Sequence, residues 1–275
     1  MTQSMTENVT EDLRLSDLSV GYAKRRIIDG LSLAPIAPGS VVSLIGPNAA
    51  GKTTLLRAIA GLLPASGALT LGERDLRAMV LADHARLVTY MPQNLPERVA
   101  LTVLEGVVGA LRASPIDGPP LSDEELLERA LGVIERVGIT PLAMTGLDRL
   151  SGGQRQLASL AQALVRSPRV LLLDEPISAL DLHYQLRVMK LVHALARERG
   201  MIVLMVLHDL SIAARWSDRI IVLSKGRVAA DGAPAEAITA PVLAEVYNVV
   251  GQVEAEESGL RITIKDILTG DAAAS

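Results

Sequence analysis

The stretch that decides the fold is Gly46-Pro47-Asn48-Ala49-Ala50-Gly51-Lys52-Thr53. A short apolar run at 41–45 precedes it and predicts a buried strand, and the amphipathic pattern at 52–63 predicts a helix. A GxxxxGK(S/T) loop in that context supplies backbone N–H groups, a helix N-terminus and a cation, which together bind polyphosphate. We therefore expect Lys52 to reach the β- and γ-phosphates of a nucleotide and the Thr53 hydroxyl to ligate Mg²⁺.

The composition excludes several classes of protein. The 275-residue chain has a net charge of −4, which argues against a protein that coats nucleic acid. Hydrophobic residues make up 49% of it, yet the longest unbroken apolar stretch, 201–207, is far shorter than the roughly 20 residues of a membrane-spanning helix. The absence of Cys excludes disulfide frameworks and cysteine-ligated metal sites. With no Phe and a single Trp, the core must be aliphatic.

Apolar runs alternate with helical patterns over most of the chain. Continuous apolar runs at 170–173 and 201–207 predict parallel strands covered on both faces, and the segment between them, 182–199, predicts an amphipathic helix. Runs at 220–223 and 228–230 flank a turn and predict a hairpin-like pair. The alternation predicts an α/β fold with a mainly parallel sheet.

Two segments depart from this alternation. Residues 94–149 carry helical patterns at 102–111 and 122–137, joined by a Pro/Gly-rich link at 114–120. We interpret 94–149 as a helical subdomain inserted into a core of about 10–93 and 150–250. Residues 251–275 are interpreted as a short C-terminal tail, in which the alternating run 260–264 is compatible with an edge strand.

The apolar run at 170–173 ends in two carboxylates. In a phosphate-loop protein, an Asp at the position of Asp174 holds Mg²⁺, directly or through water. Glu175, one step further on, is placed to polarise the attacking water as a general base. Taken alone, such a pair is common as solvated acidic residues at a turn. Together with the phosphate loop that precedes it and the other motifs, it predicts hydrolytic chemistry next to the bound phosphates.

A second anion-binding segment is Leu150-Ser151-Gly152-Gly153-Gln154, which opens an apolar-periodic helix predicted at 154–165. A serine is a favourable N-cap, and two glycines leave backbone N–H groups uncovered by side chains. The segment therefore predicts a second helix N-terminus that attracts an anion.

With these motifs in this order, the sequence resembles the nucleotide-binding subunit of ABC transporters over nearly its whole length. Residues 46–53 resemble the Walker A loop, 150–154 the signature string, and 170–175 the Walker B strand with its catalytic glutamate. The adenine-stacking aromatic, the Q-loop glutamine, the D-loop aspartate and the switch histidine are matched by Tyr22, Gln93, Asp181 and His208. The resemblance implies one ABC ATPase domain over 1–250 with a P-loop NTPase fold: a RecA-like core with a mainly parallel sheet, an antiparallel β subdomain and an inserted helical subdomain.

The resemblance also implies a role for each matched position. Catalysis is expected of Glu175, His208 and Gln93, and Mg²⁺ binding of Thr53, Gln93 and Asp174. The residues expected to bind ATP are Tyr22, Gly46, Pro47, Asn48, Ala49, Ala50, Gly51, Lys52, Thr53, Thr54, Ser151, Gly152, Gly153, Gln154 and Asp181.

Two positions depart from the family's pattern. The family usually has Gly where Ala49 stands, and Thr or a similar small residue where Ile177 stands. If position 49 requires a positive φ, alanine there costs on the order of 1 kcal/mol.

The resemblance further implies partners and a location. Two copies are expected to face each other head to tail, so that ATP on one copy is covered by 151–153 of the other. Closure would depend on the γ-phosphate because it lies between two helix N-termini. The pair is expected to power a separate membrane permease from the cytoplasmic face of the inner membrane, as a peripheral subunit. A substrate-binding protein is expected to act indirectly, and no nucleic acid is expected to bind.

Four segments suggest a cargo by resemblance alone: 154–158, 207–219, 232–236 and 243–247. They are similar to importers of iron–siderophore, haem and cobalamin complexes, and we favour a ferric siderophore, with haem or cobalamin as the alternative.

A soluble, non-transport ABC ATPase is disfavoured by the short span between the Q-loop and the signature string. A phosphate-loop kinase would leave that string without a role.

Overall fold

The computed structural model describes residues 11–23, 25–93, 100–113, 121–256 and 259–268. The strands are β1 (Leu13–Tyr22), β2 (Arg25–Ile36), β3 (Val41–Ile45), β4 (Ala65–Leu71), β5 (Arg74–Asp75), β6 (Val88–Met91), β7 (Val170–Asp174), β8 (Ile202–Val206), β9 (Arg219–Ser224), β10 (Arg227–Gly232), β11 (Val249–Glu256) and β12 (Gly259–Ile267). The helices are α1 (Lys52–Ile59), α2 (Leu81–Leu87), α3 (Val103–Arg112), α4 (Asp123–Val137), α5 (Gly152–Leu164), α6 (Leu182–Arg199), α7 (Leu210–Trp216), α8 (Pro234–Ala237) and α9 (Ala240–Tyr247). None of the helices in these ranges is long and apolar enough to cross a membrane.

A six-stranded sheet in the order β10-β9-β3-β8-β7-β6 forms the centre of the molecule. Its strands are parallel except for β10, which forms the predicted antiparallel hairpin with β9. Both faces are covered, because Leu171 and Leu173 of β7 enter one apolar cluster while Val170 and Leu172 enter another. This explains why residues 170–173 of the strand are all apolar, rather than apolar at alternate positions.

A second, antiparallel sheet in the order β2-β1-β4-β5 packs against the same core. The apolar cluster that contains Val170 and Leu172 also contains buried side chains of β1, β2 and α1, such as Leu18, Ile28 and Leu55. The clusters are built from Leu, Ile, Val, Ala and Met, as the absence of Phe predicted. The mainly parallel sheet, the antiparallel β subdomain and the helical segment together confirm the predicted fold class.

The helical segment contains α3 and α4, which pack on each other and on α5. Thr102 and Ser122 cap the two helices, and in each case a glutamate three residues on completes a capping box. The apolar side chains of this segment join the cluster that covers the other face of the central sheet. The Pro/Gly-rich link at 114–120 lies outside the described residues.

Two predicted helix bounds were wrong. The helix predicted at 52–63 ends at Ile59, because Gly61 has a φ of 71° and Pro64 follows it. The helix predicted to begin at Gln154 begins at Gly152, because Ser151 caps it directly and both glycines take helical conformation.

The last strands pair only with each other. The alternating run 260–264 does form a strand, β12, but its partner is β11 in a separate two-stranded sheet. This hairpin packs on α7 and α9. The tail was predicted to begin at residue 251, which lies inside β11, because that strand begins at Val249.

Candidate functional site

The candidate site lies at the carboxyl ends of neighbouring parallel strands. β3 leads into the glycine-rich loop, β6 into Gln93, β7 into Glu175 and β8 into His208. Because β3, β8, β7 and β6 are adjacent in the sheet, four segments that are far apart in sequence meet at one edge. Ligands of open α/β sheets bind outside this edge.

The phosphate loop takes its shape from glycines in the left-handed region. Gly46 has a φ of 140° and Gly51 a φ of 104°, and a Cβ on Gly46 would overlap the carbonyl oxygen of Leu223. Lys52 opens α1, and its Nζ donates to the carbonyl oxygens of Gly46 at 2.7 Å and Pro47 at 2.9 Å. Burial lowers the pKa of Lys52, while the Glu175 and Asp174 carboxylates oppose that shift. The loop thus holds a cation at the N-terminus of a helix.

Ala49 has a φ of 63°, so this loop position does require the left-handed region. An L-residue in that region costs roughly 1–2 kcal/mol, which glycine would relieve. Glycine also makes the unfolded chain more flexible, and this offsets about 0.4–1 kcal/mol of the stability gained by replacing the alanine. We therefore expect Ala49→Gly to raise the free energy of unfolding by about 0.5 kcal/mol in urea denaturation. Ala110→Gly, in the interior of α3, should lower it by about 1 kcal/mol. A loss of stability in Ala49→Gly like that in Ala110→Gly would contradict the strain at position 49.

Asp174 ends β7 with its carboxylate almost fully buried. Its Oδ1 accepts a hydrogen bond from Thr53 Oγ1 at 3.1 Å, and its Oδ2 accepts one from the Tyr90 hydroxyl at 2.9 Å. Burial raises the pKa of Asp174, and these two hydrogen bonds oppose the rise. Burial also raises the pKa of Tyr90 to about 12, so its hydroxyl keeps its proton at neutral pH. A cation beside Asp174 would favour its ionised form.

Glu175 lies between the other two predicted catalytic side chains. Its Oε2 accepts from Gln93 Nε2 at 2.7 Å, and its Oε1 lies 2.6 Å from His208 Nε2. Glu175 has a φ of 53°, a conformation that costs energy and therefore needs support from its surroundings. The buried Gln156 gives that support, since its Nε2 donates to the Glu175 carbonyl at 2.6 Å and its Oε1 accepts from the Ala179 N–H at 3.2 Å.

A cleft of about 410 Å³ opens in front of these groups. Residues 48–54 line it, as do Gln93, Glu175 and His208. Arg25 and Ile27, at the start of β2, line it as well. The structure therefore brings residues 48–53 of the phosphate loop and the three predicted catalytic residues to one cavity, whose lining does not include Gly46 or Pro47.

Tyr22 and the signature string are not among the described residues that line this cleft. Tyr22 ends β1 with 43% of its surface exposed, and its hydroxyl accepts from Arg57 at 3.4 Å. Ser151 caps α5 by accepting from the Gln154 N–H at 3.2 Å, and both Ser151 and Gly152 are exposed. The second predicted anion site thus faces outward.

The D-loop aspartate, Asp181, caps α6 by accepting from the Tyr184 N–H at 3.1 Å. The loop before it contacts the start of α5, where a Cβ on Gly153 would lie 2.9 Å from the Ala179 carbonyl oxygen. Ile177, the second departure from the family's pattern, is buried. Signature string and D-loop therefore form one exposed surface within the chain.

Sequence reasoning missed four residues of the site: Arg25, Ile27, Tyr90 and Gln156. Gln156 offered a signal, because an amide on the apolar stripe of a helix is buried and must find partners. Arg25, Ile27 and Tyr90 offered none, since only the pairing of β1 with β2 and of β6 with β7 brings them to the cleft or to Asp174.

Comparison with known proteins shows which family the chain belongs to. Residues 28–178 match the profile of the ABC transporter family. The hemin import ATP-binding protein HmuV of Bordetella avium is 39% identical, over 88% of this chain and 94% of that protein. The ferric enterobactin transport ATP-binding protein FepC of Escherichia coli K12 is 36% identical, over 89% of this chain and 90% of that protein.

A solved structure of another ATP-binding cassette has the same fold. The dimeric ATP-binding cassette MJ0796, bound to ADP and Pi in a post-hydrolysis state, superimposes with a TM-score of 0.72 at 28% identity, covering 81% of this chain and 98% of that one. The profile spans the phosphate loop, Gln93 and Glu175 of the cleft, whereas Arg25, Ile27 and His208 lie outside it. The chain therefore belongs to the ABC transporter family, as an ATP-binding subunit that hydrolyses ATP.

Proposed function

We propose that two copies of this chain close head to tail around ATP and that hydrolysis drives import of an iron chelate through a separate permease. The observation that carries the dimer is the position of the signature helix. Its capped N-terminus is exposed and does not line the cleft of its own chain. Exposed N–H groups at a helix N-terminus favour an anion, and the γ-phosphate of a second copy supplies one. MJ0796, a relative of the same fold, is dimeric.

Mg²⁺ fits the polar groups beside the cleft. Among the described residues, no group of three or more His, Asp or Glu side chains could hold a metal without help. Magnesium needs few protein ligands when nucleotide phosphates supply the others. The Thr53 hydroxyl and the buried Asp174 carboxylate would hold it, with the Gln93 side-chain oxygen as a further ligand. When bound, the ion neutralises charge that develops on the phosphates.

The chain's own residues then position the reactants. Lys52 and the loop N–H groups bind the β- and γ-phosphates, and Lys52 exchanges its contacts with two loop carbonyls for phosphate oxygens. Glu175 accepts a proton from the attacking water through a carboxylate oxygen. His208 and Gln93, which now hold both oxygens of Glu175, orient it and are placed to contact the γ-phosphate.

Tyr22 is proposed to stack on adenine and Asp181 to contact the partner copy. Tyr22 is half exposed at the end of β1, three residues before Arg25, which lines the cleft. Removing the γ-phosphate takes away the anion that two helix N-termini share, so the pair reopens. The cycle therefore converts hydrolysis into a change in the distance between two subunits.

The cargo is proposed from the relatives' names. Three of the relatives are named for import of hemin, of ferric enterobactin and of iron(3+)-hydroxamate, and all three match over most of their length. Ferric siderophore is our first candidate, with haem or cobalamin as the alternative. The identity to the hemin import protein favours haem over cobalamin. The subunit is proposed to work at the cytoplasmic face of the inner membrane, with a substrate-binding protein delivering the cargo to the permease.

Transport by the assembled system tests this proposal. The chain is co-purified with its permease, reconstituted in vesicles, and supplied with labelled ferric siderophore, haem or cobalamin. Uptake of an iron chelate that needs ATP, and is absent with Lys52→Ala, is the expected result. ATPase activity stimulated by nucleic acid, with no uptake of any of the three, would contradict it.

A further inference from the structure

We propose that Tyr90 is a positioning residue for the metal-facing carboxylate: its hydroxyl fixes one oxygen of Asp174 and leaves the other for Mg²⁺. The inference rests on the proposed function, in which Asp174 helps to hold that ion. Tyr90 lies on β6, whose parallel pairing with β7 places it opposite Leu172. The side chain is half-buried and its hydroxyl lies 2.9 Å from Asp174 Oδ2.

The direction of the hydrogen bond follows from Arg57. Its Nε lies 3.4 Å from the Tyr90 hydroxyl oxygen, and a guanidinium can donate but never accept. The hydroxyl therefore accepts from Arg57, and its single proton points to Asp174. A carboxylate can only accept, so the polarity of the chain from Arg57 to Tyr90 to Asp174 is fixed at both ends.

One helix face supplies both contacts. Thr53 and Arg57 are four residues apart on α1 and therefore lie on the same side of it. Thr53 Oγ1 donates to Asp174 Oδ1 at 3.1 Å, while Arg57 approaches the far side of the Tyr90 hydroxyl. The two oxygens of Asp174 thus have different partners: Oδ1 lies beside the phosphate loop and Oδ2 is held by β6.

Removing the Tyr90 hydroxyl should release the carboxylate. Asp174 is 1% exposed, so no bulk water reaches Oδ2 to replace the lost donor. The carboxylate would then turn to share the Thr53 donor between its oxygens, and it would meet the metal in several orientations rather than one. Partners that orient a metal-binding group typically contribute about 10–100-fold to metal affinity or activity.

The test measures how strongly metal and nucleotide reinforce each other. Binding of mant-AMP-PNP is titrated with excess EDTA and with excess MgCl₂. The Kd in EDTA divided by the Kd in MgCl₂ measures how much the metal strengthens nucleotide binding. In Tyr90→Phe we expect this ratio to fall about tenfold while the affinity in EDTA stays unchanged. The MgCl₂ concentration that half-activates ATP hydrolysis should rise, and high MgCl₂ should restore the rate.

A matched control lies next to it on the same strand. Thr89 has a buried hydroxyl with no hydrogen-bond partner among the described residues, so Thr89→Val removes a β6 hydroxyl that holds none of them. Its ratio should equal that of the unchanged chain. Arg57→Met, which frees the Tyr90 hydroxyl to rotate, should lower the ratio in the same direction by less, and it serves as the test if Tyr90→Phe does not fold.

Asp174→Asn distinguishes a wrong role for Tyr90 from a wrong metal site. If it abolishes the metal effect while Tyr90→Phe and Arg57→Met leave it intact, the role of Tyr90 is overturned and the metal site stands. If Asp174→Asn also leaves the effect intact, the metal site of the proposed function is wrong, and the role of Tyr90 is overturned with it.

Discussion

Glu175→Gln should lower ATP hydrolysis by about 10²–10⁴-fold, the usual contribution of a general base, while ATP binding persists. A glutamine has nearly the same shape, but its amide cannot take a proton from water. The substitution also leaves the loop, Lys52 and Asp174 intact, because Glu175 contacts Gln93 and His208 through its side chain. Hydrolysis then stops with the γ-phosphate in place.

A closed pair that cannot hydrolyse its ATP should accumulate. Gel filtration of Glu175→Gln with ATP and MgCl₂ should therefore show a dimer, and the same protein with ADP a monomer. Glu128→Gln, on the exposed face of α4, is the matched control and should hydrolyse ATP at the normal rate. A Glu175→Gln variant that stays monomeric with ATP would count against the head-to-tail pair.

Gly152→Asp should lower hydrolysis by at least about 100-fold, comparable to losing a donor that stabilises transition-state charge. The added carboxylate stands at the exposed N-terminus of α5, where the γ-phosphate of the partner copy is proposed to bind. Its negative charge repels that phosphate and offers the helix N–H groups an internal anion instead. The effect acts between copies and not within one.

The fold of each copy should tolerate this substitution. The nearest atom to a Cβ on Gly152 is the Ala179 side chain at 4.0 Å, and an acidic residue in the first turn of a helix is favourable. Thermal unfolding and the affinity of the lone chain for mant-ATP should therefore be unchanged. Gly132→Asp on α4, where a Cβ meets nothing within 4 Å, is the control and should keep full activity. A loss of nucleotide affinity in the lone Gly152→Asp chain would place its effect inside one copy.

Local patterns were enough to predict the elements that carry the site. A glycine-rich loop between an apolar strand and a helix, and an apolar run ending in Asp174 and Glu175, each have one favourable conformation. The alternation of apolar runs with helical patterns also predicted a mainly parallel sheet. The family's usual glycine at position 49 raised the question of a positive φ there, and Ala49 does have a φ of 63°.

Features that depend on contacts between distant segments could not be predicted. Nothing near Arg25 or Tyr90 in the sequence indicates that strand pairing brings one to the cleft and the other to Asp174. Helix α1 ends early because of Gly61 and Pro64, whereas our prediction followed the apolar pattern, which continues to residue 63. Tyr22 was assigned by resemblance, and its stacking on adenine stays a prediction.

Mixing two inactive variants tests most directly the claim that each ATP site is shared between two copies. Lys52→Ala disables the phosphate loop, and Gly152→Asp disables the signature helix that covers it. A mixed pair has one site in which an intact loop meets an intact helix, whereas pairs of either variant alone have none. Hydrolysis well above that of each variant alone is the predicted result. If the two variants form mixed dimers and the mixture is still as inactive as each variant alone, the ATP site is not shared between two copies.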